Sequence, residues 1–127
     1  MAGEKFAPVF DRLRSIMEPY GRQLDVVQDE AAAYWVNTRQ ARADGYVLMF
    51  GAVEVRARYV AYHLMPVYVW PDLLDGVSPV LRRRMQGKSC FNFTAVDEDL
   101  FAELGELTRR GFERGAARGG SIFTAER

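Results

Sequence analysis

The run GYVLMFGAV, residues 45–53, carries no charged side chain. Close behind it, RYVAYHL, residues 58–64, has one charge, at its first position, and the only histidine of the chain, His63. β-Branched and aromatic residues dominate both, which suits a pleated strand. An antiparallel strand with one wet face alternates apolar with polar residues. These two do not. In the second run Val60, Tyr62 and Leu64 point to one side and Tyr59, Ala61, His63 and Met65 to the other, and both sides are largely apolar. The fold must therefore keep both faces of its central strands from water. Helices that cover one face leave the other to be covered by something else: a second subunit, the MPVYVWP segment or a ligand.

The flanking sequence supplies those helices. Over residues 4–20, Phe6, Val9, Phe10, Leu13, Ile16, Met17 and Tyr20 recur at three- and four-residue steps, with Pro19 and Gly21 as the expected stop. From Asp97 to about Arg114, Leu100, Phe101, Leu104, Leu107 and Phe112 make a second stripe; acids begin it and arginines end it, as the helix dipole favours. Strands are expected near 23–28, 32–37, 45–53, 57–64 and 89–94, with polar turns such as TRQARADG between some of them. Links this short favour antiparallel hairpins. The proline-rich MPVYVWP should leave the sheet, since proline donates no ladder hydrogen bond. SPVLRRRMQG reads as a short helix with Ser78 as N-cap, Pro79 in its first turn and Gly87 as its stop.

The order gives an α+β fold: an antiparallel sheet of about five strands with the N- and C-terminal helices packed on one face. Leu13, Ile16, Val60, Tyr62, Leu64, Leu104 and Leu107 are the expected core. With 127 residues, 49% of them hydrophobic, the chain suits one domain, expected over 1–115, followed by a loose glycine-containing tail over 116–127.

Composition narrows the function. Lys plus Arg and Asp plus Glu number 17 each, which counts against a general nucleic-acid coat; a single RGG at 118–120 is a weak counter-signal. No apolar run approaches the ~20 residues of a membrane span. The absence of a visible secretory signal and the lone Cys90 favour a cytoplasmic setting.

Little catalytic chemistry is legible. GKS at 87–89 matches the end of a phosphate-binding loop, but position 82, where that loop needs glycine, is Arg82. Cys90 lies in an apolar run, far in sequence from His63, and is read as an inert, buried small residue. His63 and Cys90 together fall short of a zinc ligand set, so His63 is read as a hydrogen-bonded sheet residue. Glu4, Asp11 and Glu18 are spaced by seven on one helix stripe, with Asp25 and Asp29 nearby on the first strand. Successive acids of the stripe stand about 10 Å apart, too far to share one ion, so a loose iron site from all five is the alternative to a solvated face. Arg56, Arg58, Arg82, Arg83, Arg84 and Lys88 would form a basic patch if the fourth strand began beside the short helix.

Three passages carry a family resemblance. YVAYHL (59–64), VSPVLRRRMQGKSCFNF (77–93) and DEDLFAELGELTRRGFE (97–113) resemble the strand, the Ser-Pro to Gly-Lys passage and the closing helix of the YdhG-like family, domain of unknown function 1801. The resemblance spans roughly residues 6–115. It implies a frataxin-like α+β shape, a cytoplasmic setting and, since an iron-chaperone role is attached to some members, iron binding as the alternative function. The residues themselves favour a non-enzymatic binding protein without a cofactor, its contact surface the uncovered sheet face with Trp35, Tyr59 and His63. The expected partner is a second copy of the chain, or a small ligand or protein of unknown identity.

Overall fold

The computed structural model describes residues 2–41, 45 and 47–117. α1 (Ala2–Gly21) presents Phe6, Val9, Phe10, Leu13 and Met17 to the core, with Ile16 and Tyr20 partly buried at its margin. Pro19 does not stop it, because the only N–H it removes lies in the last turn; the helix continues to Gly21, where a Cβ would run into the Tyr34 hydroxyl. Four strands follow: β1 (Asp25–Glu30), β2 (Ala33–Ala41), β3 (Val47–Val55) and β4 (Val60–Leu64). β2 takes in Thr38, Arg39, Gln40 and Ala41, so half of TRQARADG is strand, not turn; residues 42–44 of it lie outside the described residues.

MPVYVWP does leave the sheet. It forms a one-turn α2 (Met65–Val69) and, from its last proline, a 3-10 turn (Pro71–Leu74). The short helix read over 78–87 is shorter still. α3 covers only Pro79–Arg82, and Met85–Gln86 form a two-residue strand, β5, paired with β6 (Cys90–Phe93). Gly87, with φ +79°, serves this hairpin turn; it is not a helix stop. The apparent helix pattern fails because Met85 gains more by pairing with Phe91 beside the core than by an exposed further turn. α4 (Glu98–Ala117) closes the fold, its first turn capped by Asp97, whose carboxylate accepts from Leu100 N–H at 3.1 Å. It takes in two residues of the segment read as tail; 118–127 lie outside the described residues.

The sheet is antiparallel and six-stranded, in the order β1-β2-β3-β4-β6-β5. α1 and α4 lie side by side on one face, tied by Arg12, midway along α1, donating to Glu98 at the start of α4. Val60, Tyr62 and Leu64 are fully buried beneath them, as are Leu13, Leu104 and Leu107. Tyr62 needs a partner for its hydroxyl in this dry layer and has one, Thr108 Oγ1 at 2.7 Å, which in turn donates to Leu104 O at 2.8 Å.

A β-bulge explains why β3 fails to alternate. Val36 pairs with Gly51 and Asn37 with Met49, so Phe50 is the extra residue. Phe50 and Gly51 therefore both turn to the helices. Phe50 packs against Tyr20 and Phe112, and Gly51 lies under Met17. Beyond the bulge Ala52 and Glu54 face away from the helices, as Met49 does before it.

Candidate functional site

Register places one continuous row across the open face. Trp35 pairs with Ala52, Ala52 with His63, His63 with Cys90 and Cys90 with Gln86. The next row is Glu30, Ala33, Glu54, Ala61 and Asn92. Trp35 and His63 thus flank Ala52 two strands apart, about 10 Å at ~4.8 Å per strand. Ala52 and Ala61 form the floor of this trough; they are 0% and 2% exposed although no described helix lies over them, so the larger side chains beside them already shield them. Every other helical element is tied to α4, on the opposite side. Pro66 and Leu73 sit under Gly111, Arg110 donates to Leu73 O, and Ser78 donates to Glu103 through both its N–H and its hydroxyl. MPVYVWP therefore covers none of the trough.

The expected contact residues are partly brought together. Trp35 and His63 share the row, both half-buried, and Trp35 Nε1 donates to Asn37 Oδ1 at 2.9 Å. Tyr59 is half-buried in the 56–59 turn just before β4, where its carbonyl accepts from Arg56 N–H at 2.8 Å.

Pairing across strands adds residues that sequence reasoning did not join to His63. His63 Nε2 donates to Glu54 Oε1 at 3.2 Å, and Arg56 donates to the same oxygen at 2.8 Å. Cys90, far from His63 in sequence, stands directly opposite it, which puts their Cβ atoms about 5 Å apart. Cys90 is half-buried and not fully enclosed as expected, because it faces the uncovered side. The one sequence signal that could have found this pair is that HL and SCF both sit in strand-like runs of matching alternation.

The electrostatics of the pair are quiet. Burial holds the His63 imidazolium pKa below the usual 6.5, against the opposing pull of Glu54. Burial also pushes the Cys90 thiol above its ordinary value, despite Arg56. At neutral pH this is a neutral imidazole donating to Glu54 beside a protonated thiol donating to Asn92 Oδ1 at 3.3 Å. Nucleophilic work would need the thiolate that this setting disfavours.

A consequence can be measured. A histidine whose folded pKa is depressed contributes nothing adverse while both states are neutral. As pH falls through 6.5 the unfolded state takes up a proton first, so stability falls with it. Urea midpoints should therefore drop between about pH 6.5 and 5 in the wild type, and drop less in His63→Gln. Equal slopes in the two proteins would show that His63 does not titrate differently on folding.

The acids of the alternative iron site are scattered. Glu4 and Asp11 are exposed on α1. Glu18 and Asp29 do approach one another, but around Arg14, whose guanidinium reaches them at 3.3 and 2.8 Å. Asp25 pairs with Arg39 at 3.3 Å, and its register opposite Asn37 places it on the face opposite Asp29. Among the described residues no three His, Cys, Asp or Glu side chains converge on a position that could hold a metal ion.

The six basic residues do not form one patch either. Arg56 and Arg58 sit at the β3–β4 turn, whereas Lys88 sits in the β5–β6 turn at the far end of β4, where Leu64 N–H donates to Ser89 O. A strand of β4's length separates them. No helix among the described residues is long and apolar enough to cross a membrane. No family model, curated protein or solved structure matches the chain.

Proposed function

We propose that this chain is a small cytoplasmic, non-enzymatic binding protein that pairs with a second copy of itself through the open sheet face. The observation that carries this reading is the face itself: half-buried Trp35 and His63 flanking the small residues Ala52 and Ala61, on the side of the sheet where none of the described helices packs. The charges on this face support it further. Glu54 already serves both Arg56 and His63, so the charge at the centre of the face is paired, while Glu30 stays at its β1 rim. Trp35 and Tyr59 are the residue types favoured at such contacts, since their rings bury well and their polar tips still find partners. A face that pairs with itself about a two-fold axis needs no second patch elsewhere.

The test is Tyr59→Glu. The wild type should sediment as a dimer at concentrations on the order of micromolar, and the variant as a monomer with an unchanged circular dichroism spectrum, because a carboxylate in a desolvated contact costs several kcal/mol. A wild type that is monomeric at these concentrations overturns the pairing.

A further inference from the structure

Away from the trough, on the helix side of the sheet's β5 edge, the structure holds a groove of about 400 Å³. Val67, Tyr68, Pro71, Leu74 and Met85 line it together with Arg82, Gly87 and Lys88. The volume lies within the range of small-molecule sites, which combine an apolar lining with a few placed polar groups.

We propose that this groove binds a small organic anion, with its apolar body against Tyr68, Val67, Leu74 and Met85 and its carboxylate or comparable anionic group between Arg82 and Lys88. Charge decides the class. Both lining cations are without an acidic partner among the described residues, and no acidic residue lines the groove. Arg12, Arg14, Arg39, Arg56, Arg109 and Arg114 are paired with carboxylates, and of the described cations that are not, Arg82 and Lys88 are the two that line this groove. Arg82 is instead anchored by donating to Leu74 O at 3.0 Å, which holds its guanidinium at the groove while leaving its other N–H groups for an acceptor. Tyr68 offers a ring that is 56% exposed, unusual for a large aromatic in a fold whose other rings are mostly enclosed. Gly87 contributes the turn: its φ of +79° carries the chain back at Lys88, which lines the groove, and a Cβ at Gly87 would meet open space. Neither cation belongs to the trough, so the site stands independently of the pairing proposed for the opposite face.

The probe is 1-naphthoate, whose ring fills part of the groove and whose carboxylate presents one charge; its neutral control is 1-naphthalenemethanol. Titration is followed by amide chemical shifts in the full chain. Saturable shifts are expected at Val67, Tyr68, Leu74, Met85, Gly87 and Lys88, with a Kd on the order of 1 mM or tighter for a probe of this size. The alcohol should bind about tenfold more weakly, and Lys88→Gln should weaken naphthoate by about fivefold to tenfold without moving the melting midpoint, since Lys88 is exposed and bonded to nothing that the substitution would strand. Inorganic phosphate alone should bind more weakly than naphthoate, because it leaves the apolar wall unused. Equal affinity for acid and alcohol, an unchanged Kd in Lys88→Gln, shifts that map to the trough, or no saturable shift at these residues each overturns the proposal.

Discussion

Replacing Leu64 by alanine should lower the unfolding free energy by about 2–5 kcal/mol. Leu64 is the last residue of β4, fully buried, on the side of the sheet that α1 and α4 cover. Truncation removes three buried carbons and leaves a cavity in a layer built from helix and strand together, which relaxes poorly. Gly51, its partner on β3, offers no side chain to fill the gap. Urea melts at constant slope report the loss directly. A change near zero would mean that β4 is shifted by one residue, which would exchange its buried and open faces.

Gly51→Ala should destabilise by about 1–3 kcal/mol, an unusual cost for adding one methyl to a strand. A Cβ at this position would overlap the Met17 side chain, and it would lie 2.9 Å from the backbone carbonyl of His63. The methionine can swing aside, since it is long and unbranched. The carbonyl cannot, because it belongs to the β3–β4 ladder. Combining Gly51→Ala with Met17→Ala should therefore recover part of the loss relative to the sum of the two single changes, but not all of it. Full additivity of the two changes in denaturant melts would place Met17 away from Gly51 and remove the steric account of the bulge.

The same glycine shows where reading from sequence stops. A run such as GYVLMFGAV announces a strand protected on both sides, yet two arrangements give that pattern: alternation with both faces covered, or a bulge that turns two successive residues the same way. Phe50 and Gly51 take the second. Choosing between them requires knowing that Val36 lies opposite, and nothing near Phe50 in the chain says so. The short helix over 78–87 failed for a related reason. Its N-cap, Ser78, was legible because capping is settled within one turn; its end was not, because Met85 leaves the helix to pair with Phe91.

What the sequence determined by itself is therefore what local periodicity and local chemistry control. The stripes of α1 and α4 follow from three- and four-residue spacing, and the grouping of Val60, Tyr62 and Leu64 on one side of β4 follows from the two-residue period of a strand. The α+β class follows from the order of those elements. The tertiary structure alone decided which residues meet. It set His63 opposite Cys90 and beside Glu54, it put Lys88 at the opposite end of β4 from Arg56 and Arg58, and it brought Arg82 and Lys88 to one groove. The reason is the range of the forces involved. A helix closes its hydrogen bonds four residues away, so its face is written in neighbouring letters. A sheet closes them across any distance in the chain, so its rows, and every site built on them, exist only once the strands have chosen their partners.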